Sequence, residues 1–232
     1  MIVEKRGNIF TTNAQTIVNT INCVGVMGAG IAYEFRLREP YMYEKYQILC
    51  HNKQLDIGIL WIYNGEDKKI LNFPTKYDWK YPSKIEYLEK GLQKFIDTYK
   101  EKDIKSIAFP LLGADKGGLT KEQALSIMTK YLSKCNNIDI EIWHFDPFSK
   151  DDLYEEFKTL FRSLNDDIIK KDSQIRIDII KKIRVALEDE TINSLSGLLR
   201  VKGVGDKSLE KLFQYVKNYK KNHRSLFDIE ST

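Results

Sequence analysis

With 232 residues, 42% of them hydrophobic, the chain can bury a sizeable core and needs none of the staples of small scaffolds. Its three cysteines, Cys23, Cys50 and Cys135, are widely spaced, odd in number and outside any C-x-x-C pattern, which excludes a disulfide framework or structural zinc and implies inert thiols in a reducing compartment. A net charge of +4 is too mild to establish a nucleic-acid partner, the opening M-I-V-E-K-R-G-N-I-F is too short and charged for a secretion signal, and no apolar run approaches a bilayer span, so a soluble, cytoplasmic protein without membrane association is expected.

Taken in chain order, I-V-N-T-I from Ile17 reads as a strand. It runs into N-T-I-N-C-V-G-V-M-G-A-G-I-A, Asn19 to Ala32, whose glycines permit close backbone approach where a helix begins. Taken alone, that segment is equally a structural turn or a phosphate loop, and it lacks an acidic ribose-binding position at dinucleotide-fold spacing. Gly30 to Leu37 has helical periodicity limited by Pro40. I-G-I-L-W-I-Y from Ile57 and K-I-L-N-F from Lys69 read as strands, and Ile85 to Tyr99 places Ile85, Leu88, Leu92, Phe95, Ile96 and Tyr99 on one helical face. S-I-A-F-P from Ser106, a helix from Lys121 to Leu132 and I-D-I-E-I-W-H-F from Ile138 complete the alternation. Such alternation predicts a three-layer α/β/α module with a mixed, mainly parallel sheet, whose ligand sites collect at strand carboxyl ends.

Beyond Phe148 the pattern becomes helical: Asp151 to Leu164, Ser173 to Leu187, then two short stretches around Leu195 and Leu209. The expected organisation is residues 1–148 as the α/β module and 149–232 as a small helical domain. Between Ile192 and Arg224 eight basic residues (Arg200, Lys202, Lys207, Lys211, Lys217, Lys220, Lys221 and Arg224) face two acidic ones, Asp206 and Glu210, a local +6.

Four motifs in order, G-N-I-F at Gly7, the Asn19–Ala32 loop, N-F-P-T-K-Y-D-W from Asn72 and P-L-L-G-A-D-K-G-G-L from Pro110, resemble those of macrodomains. The similarity is greatest to the branch of the DarG-type antitoxins, which remove ADP-ribose from DNA bases modified by a partner toxin. The resemblance spans roughly Met1 to Pro147. It implies that Asn8, beside Ile9, stands where an aspartate accepts a bond from adenine, a bond an asparagine carbonyl can also accept. By the same resemblance Asn22 orients the distal ribose, with Gly28, Ala29, Gly30 and Ile31 beside that sugar and the phosphates. Asn19 is expected to support the loop.

The second glycine loop, Gly113, Ala114, Asp115, Lys116, Gly117, Gly118 and Leu119, offers backbone amides for a pyrophosphate nest, with Lys116 as a further phosphate contact. Lys76 matches the catalytic lysine of lysine-dependent macrodomains, and Pro74 stiffens its loop. A neutral lysine would capture the opened sugar as a nucleophile, and a charged one would stabilise the leaving group. Protein-directed relatives place an aspartate where this chain has Gly117, which favours the nucleic-acid branch. Tyr77 and Trp79 are candidates to stack on an extruded base. His51, His144 and His223 form no metal constellation, and neither metal nor cofactor is expected.

In the tail, L-L-R-V-K-G-V-G-D-K-S-L-E-K-L, Leu198 to Leu212, resembles a helix-hairpin-helix motif over about 195–213. That implies DNA-backbone contact through Lys202, Gly203, Gly205, Lys207 and Lys211, with docking of a cognate DNA ADP-ribosyltransferase toxin as the rival use. The expected function is an ADP-ribosyl glycohydrolase acting on modified DNA bases as an antitoxin or repair activity. Alternatives are a protein de-ADP-ribosylase or O-acyl-ADP-ribose deacylase, and a noncatalytic ADP-ribose-binding module.

Overall fold

The computed structural model describes residues 1–149 and 151–227, with side chains through Tyr219. Lys220, Lys221, His223 and Arg224, named above for their charge or chemistry, lie outside the described side chains. The chain divides into two compact units between Pro147 and Phe148.

The first unit is built on a six-stranded sheet: β1 (Ile2–Gly7), β2 (Thr16–Ile21), β3 (Trp61–Asn64), β4 (Lys69–Pro74), β5 (Ser106–Pro110) and β6 (Asp139–Phe145), in the order β1-β6-β5-β2-β4-β3. Every pairing is parallel except the β3–β4 hairpin. β2 and β5 are buried along nearly their whole length, as parallel strands covered on both faces must be.

Helices α1 (Gly30–Arg38) and α2 (Pro40–His51) cover one face, where Phe35, Met42 and Tyr46 pack on Ile17, Ile21 and Ile70. Helices α3 (Ile85–Thr98) and α4 (Lys121–Leu132) cover the other, where Leu88, Leu92, Phe95, Ala124 and Met128 meet Val18, Phe73, Phe109 and Ile142. Thr120 and Gln123 close a capping box that starts α4.

β2 and β5 are neighbours, yet they pair only at Thr16 with Ile107 and Ile17 with Ala108, whereas β2 and β4 pair along six positions. The chain leaves β2 for the α1/α2 face and leaves β5 for the α4 face. Such a divergence is the switch point at which open α/β sheets leave a crevice for ligands.

Several expectations need correction. Pro40 limits the first helix as expected, α1 ending at Arg38, but it also opens an unforeseen helix: it occupies the first turn of α2, where its missing N–H costs nothing. The run from Ile57 becomes a strand only at Trp61, because Gly58, with φ +87°, turns the preceding residues. β1 carried no alternation to read, since four of its six residues are exposed on an edge strand.

The second unit, from Phe148, contains α5 (Tyr154–Ser163), α6 (Asp166–Ser173), α7 (Ile177–Ala186), a 3-10 turn at Ser196–Arg200 and α8 (Asp206–Phe227). Phe157, Phe161, Ile180, Ile183, Leu209 and Phe213 form its core. Arg184 holds α6 to α7 through Asp166, at 2.6 Å, and the carbonyls of Phe161 and Leu164. The expected stretch around Leu209 is the start of a 22-residue helix, the one near Leu195 leads into a five-residue 3-10 turn, and α6 was not foreseen. Among the described residues no helix is long and apolar enough to cross a membrane.

Among the glycines of the first unit the least room is at Gly91 of α3, where an added Cβ would lie 2.2 Å from Cζ of the fully buried Phe73. Gly91→Ala therefore overpacks the α3–sheet contact, and urea unfolding should show a loss of about 1–3 kcal/mol with an unchanged m-value; a neutral result would mean that Phe73 relaxes freely.

Candidate functional site

Five parallel strands end on the same edge of the sheet, and the loops after β1, β2, β4 and β5 carry the predicted site residues. The first glycine loop is organised by Asn22. Its Oδ1 accepts the N–H groups of Val24 at 3.0 Å and Val26 at 3.3 Å, and its Nδ2 donates to the Val26 carbonyl at 2.5 Å. From below, the Tyr46 hydroxyl lies 2.8 Å from the Asn22 carbonyl and 2.9 Å from its Oδ1. Burial pushes that phenol well above its usual range, so it remains a donor. Asn22, only 6% exposed, thus spends its oxygen and one N–H inside its own loop and keeps one amide hydrogen for a ligand.

Asn19 and Asn72, opposite one another in the β2–β4 register, bond at 2.9 Å in the sheet interior. Asn19 also faces Sδ of the buried Met27, at 4.0 Å, which seats the loop on the sheet as expected. The loop then enters α1. Ala29 is an N-cap without a side-chain bond, so the first-turn N–H groups of Gly30, Ile31 and Ala32 are left for an anion. Gly30 has φ +58° and open space around its Cβ position, so backbone conformation is what requires glycine there.

The second glycine loop departs from expectation. Its amides do not form one continuous nest: Gly117 donates to the Ala114 carbonyl at 2.8 Å, Gly118 to Asp115 at 3.4 Å and Leu119 to Gly113 at 3.0 Å. A 3-10 turn at Asp115–Gly117, entered by Asp115 at φ +50°, instead lifts Asp115 and Lys116 to the surface with their own N–H groups directed to no described residue. Gly113, at φ +71°, leaves its Cβ position 2.9 Å from the Leu119 side chain. At Gly117 an added Cβ would lie 2.9 Å from Ser83 Oγ, itself buried without a bonding partner, and Ser83 N–H donates to the Gly117 carbonyl at 2.8 Å. Ser83 therefore occupies the space that a side chain at position 117 would need. No sequence pattern marked Ser83 or Tyr46 as site residues.

Lys76 follows β4, in a loop held from two directions. Thr75 N–H donates to the Ile21 carbonyl and Cys23 N–H to the Tyr77 carbonyl, both at 2.9 Å, tying it to the end of β2. Burial, with the Asp56 charge as a lesser cause, pushes the Cys23 thiol up to about 12, so it stays a neutral thiol, 3.5 Å from the Lys76 carbonyl. The Lys76 ammonium nitrogen reaches the Lys116 carbonyl at 2.6 Å, bridging the lysine loop to the second glycine loop. Partial burial lowers its pKa below the ordinary lysine value of 10.5. Asn8 stands after β1, and its Oδ1 accepts Phe10 N–H at 3.0 Å, leaving one lone pair for a further donor. Ile9 is buried beneath it.

In the second unit, Gly203 has φ +98°, and Val204 N–H closes a turn on the Val201 carbonyl at 2.9 Å before α8 begins. The Gly203 and Gly205 N–H groups have no described partner, and Lys202 and Lys207 are exposed. Lys211 is instead committed to the Gln174 carbonyl at 2.8 Å, within its own unit. His144 is structural, bonded to Glu4 across β1 and β6 at 2.8 Å.

Because Asn22 holds its loop by three bonds, Asn22→Ala should lower stability by about 2 kcal/mol in urea unfolding, speed amide exchange at Val24 and Val26, and weaken ADP-ribose binding on the order of tenfold. Weaker binding with unchanged exchange would show that the side chain serves the ligand alone.

A profile of the Macro domain family matches residues 18–128. The DNA ADP-ribosyl glycohydrolase of Thermus aquaticus is 36% identical over 146 residues, which are 61% of this chain and 40% of that protein. This chain thus spans about 40% of the length of the curated relatives it matches. Among solved structures, the macrodomain of Mycobacterium tuberculosis DarG is 36% identical with a TM-score of 0.60, covering 62% of this chain and 97% of that one. Thermosipho africanus DarTG in complex with ADP-ribose is 33% identical with a TM-score of 0.56, over 60% of this chain and 40% of that one. With its sheet order, its two glycine loops and a near-complete match to that mycobacterial module, the chain belongs to the macrodomain family.

Proposed function

We propose that the first unit is an ADP-ribosyl glycohydrolase that releases ADP-ribose from modified DNA bases, with Lys76 as its nucleophile. The observation that carries this reading is the placement of Lys76: a partly buried amine of lowered pKa, bonded across to the second glycine loop. The first-turn amides of α1 and the N–H groups of Asp115 and Lys116 hold the diphosphate. Asn22 turns its remaining amide hydrogen to the distal ribose, and Asn8 accepts from adenine.

In the reaction, the bond between the base and the anomeric carbon breaks and the base leaves with a proton. The neutral Lys76 amine adds to that carbon as the sugar opens, forming a Schiff base. Water then hydrolyses the imine, returning ADP-ribose and the free amine. Ser83 supports the nucleic-acid substrate class by filling the space beside Gly117, where protein-directed relatives carry an aspartate. The relatives named as DNA ADP-ribosyl glycohydrolases support the same class.

On this reading the chain acts in the cytoplasm as an antitoxin or repair activity, opposite a DNA ADP-ribosyltransferase. A relative from Thermosipho africanus is named as a transferase-glycohydrolase fusion, which fits such a pairing. The described residues from Phe148 onward form the helical domain of this assignment, and its hairpin near Gly203 holds the DNA backbone through the Gly203 and Gly205 amides, Lys202 and Lys207.

Lys76→Ala and Lys76→Arg should each slow release of ADP-ribose from a modified single-stranded oligonucleotide on the order of a hundredfold or more. Arginine keeps the charge but cannot form the imine, so substantial activity in Lys76→Arg would replace the nucleophile with an electrostatic role. An amine reacts as its free base, so the wild-type rate should climb with rising pH, and the lowered Lys76 pKa sets that climb below the pH at which an ordinary lysine would titrate. Borohydride added during turnover should trap a covalent adduct in the wild type and none in Lys76→Ala.

A further inference from the structure

The segment after Lys76 borders a solvent-open cavity of about 360 Å³ lined by Tyr77, Asp78, Tyr81, Pro82, Lys84 and Tyr87. That volume lies at the small-ligand end of binding sites. Its wall is continuous with the reactive region on two sides. Tyr77 directly follows Lys76, while Pro82 lies against Gly118, 3.4 Å from the Cβ position there, and Ser83 is bonded to Gly117.

Three aromatic rings line one small space, and two of them are open to solvent: Tyr77 is 57% and Tyr81 67% exposed. Neighbouring exposed rings beside the Lys76 loop offer apolar faces on which a flat partner can stack. The polar groups are arranged compatibly. Asp78 turns Oδ1 onto the Lys80 N–H at 3.0 Å, and Lys84 extends beside the Tyr87 ring, 5.5 Å from its centre, with Glu86 3.7 Å from its ammonium. Trp79, expected as a stacking residue, is exposed but does not line the cavity.

We infer that this cavity is a subsite for a nucleobase of the substrate strand, stacked between Tyr77, Tyr81 and Tyr87, with Lys84 beside the strand's phosphate. The inference rests on the nucleic-acid reading of Lys76 and extends it by assigning where the DNA, as distinct from its ADP-ribose, is gripped. Stacking on aromatic side chains tolerates any base, so the subsite provides affinity for single-stranded DNA without reading its sequence.

The test uses the full chain and the variants Tyr81→Ala, Tyr81→Phe and Lys84→Gln. Calorimetry gives the Kd for free ADP-ribose, and steady-state kinetics are measured on a single-stranded oligonucleotide carrying one ADP-ribosylated base, on the isolated ADP-ribosylated nucleoside and on an ADP-ribosylated peptide. Tyr81→Ala should raise KM for the oligonucleotide on the order of tenfold with kcat little changed, Tyr81→Phe should stay within about twofold because the ring is kept, and Lys84→Gln should add salt-dependent weakening. Free ADP-ribose and the peptide should be unaffected. A matching loss on the nucleoside places the modified base in the cavity, and a loss confined to the oligonucleotide places its neighbour there. Unchanged oligonucleotide kinetics in Tyr81→Ala, with the wild type active, overturn the subsite alone, as does an equal loss on the peptide. A wild type silent on both DNA substrates overturns the subsite together with the nucleic-acid reading.

Discussion

The site depends on the parting of two neighbouring strands. β2 and β5 share only two residue pairs, and the chain then leaves them toward opposite faces of the sheet. The elements proposed above to hold ADP-ribose are loops at that edge, with the helix start that follows the first of them. Because both strands are buried and covered by helices, the opening between their ends cannot close by sliding one strand along the other without exposing a hydrophobic face. The sheet thus supplies a rigid frame, and chemistry is left to the loops.

Those loops are held by different means. The first is pinned from inside by Asn22 and from below by Tyr46 and the Asn19–Asn72 pair, so its shape is set before any ligand arrives. The second spends the amides of Ala114, Gly117, Gly118 and Leu119 on its own turns and leaves those of Asp115 and Lys116, at the surface, without a described partner. Lys76 lies between them, on a segment bonded to the β2 end and reaching the second loop through its side chain. Preorganised donors of this kind avoid the reorganisation that water would impose when a diphosphate binds. On the proposed mechanism, the bond from Lys76 to the Lys116 carbonyl must break for the amine to reach a sugar.

Much of this was readable before the structure. The alternation of β-branched runs and periodic helices foretold the three-layer α/β/α module, and the four short motifs follow β1, β2, β4 and β5 at one edge of its sheet. What could not be read has identifiable causes. Pro40 marks the end of α1 because proline breaks helices, but the same residue is harmless in a first turn, so α2 directly after it went unread. β1 is an edge strand with little buried surface and so leaves no periodic signal. The inward bonding of Gly117, Gly118 and Leu119 depends on turn geometry that glycine permits but does not dictate. Asn22 was legible as a candidate from its motif, but its role in bracing Val24 and Val26 was not, because side-chain bonding to a loop has no spacing rule of its own. Tyr81 and Tyr87 lacked any motif, and only the turn after Lys76 brings them together around a cavity.

On the proposed reading, unpaired main-chain amides at the two loops grip a diphosphate beside Lys76. Hydrogen exchange of individual backbone amides, compared with and without saturating ADP-ribose, addresses it directly. Protection concentrated at Gly30, Ile31, Ala32, Asp115 and Lys116, with little change along the sheet, is the expected result. No protection at these five positions, or protection centred instead on the β3–β4 turn at the opposite edge, would contradict it.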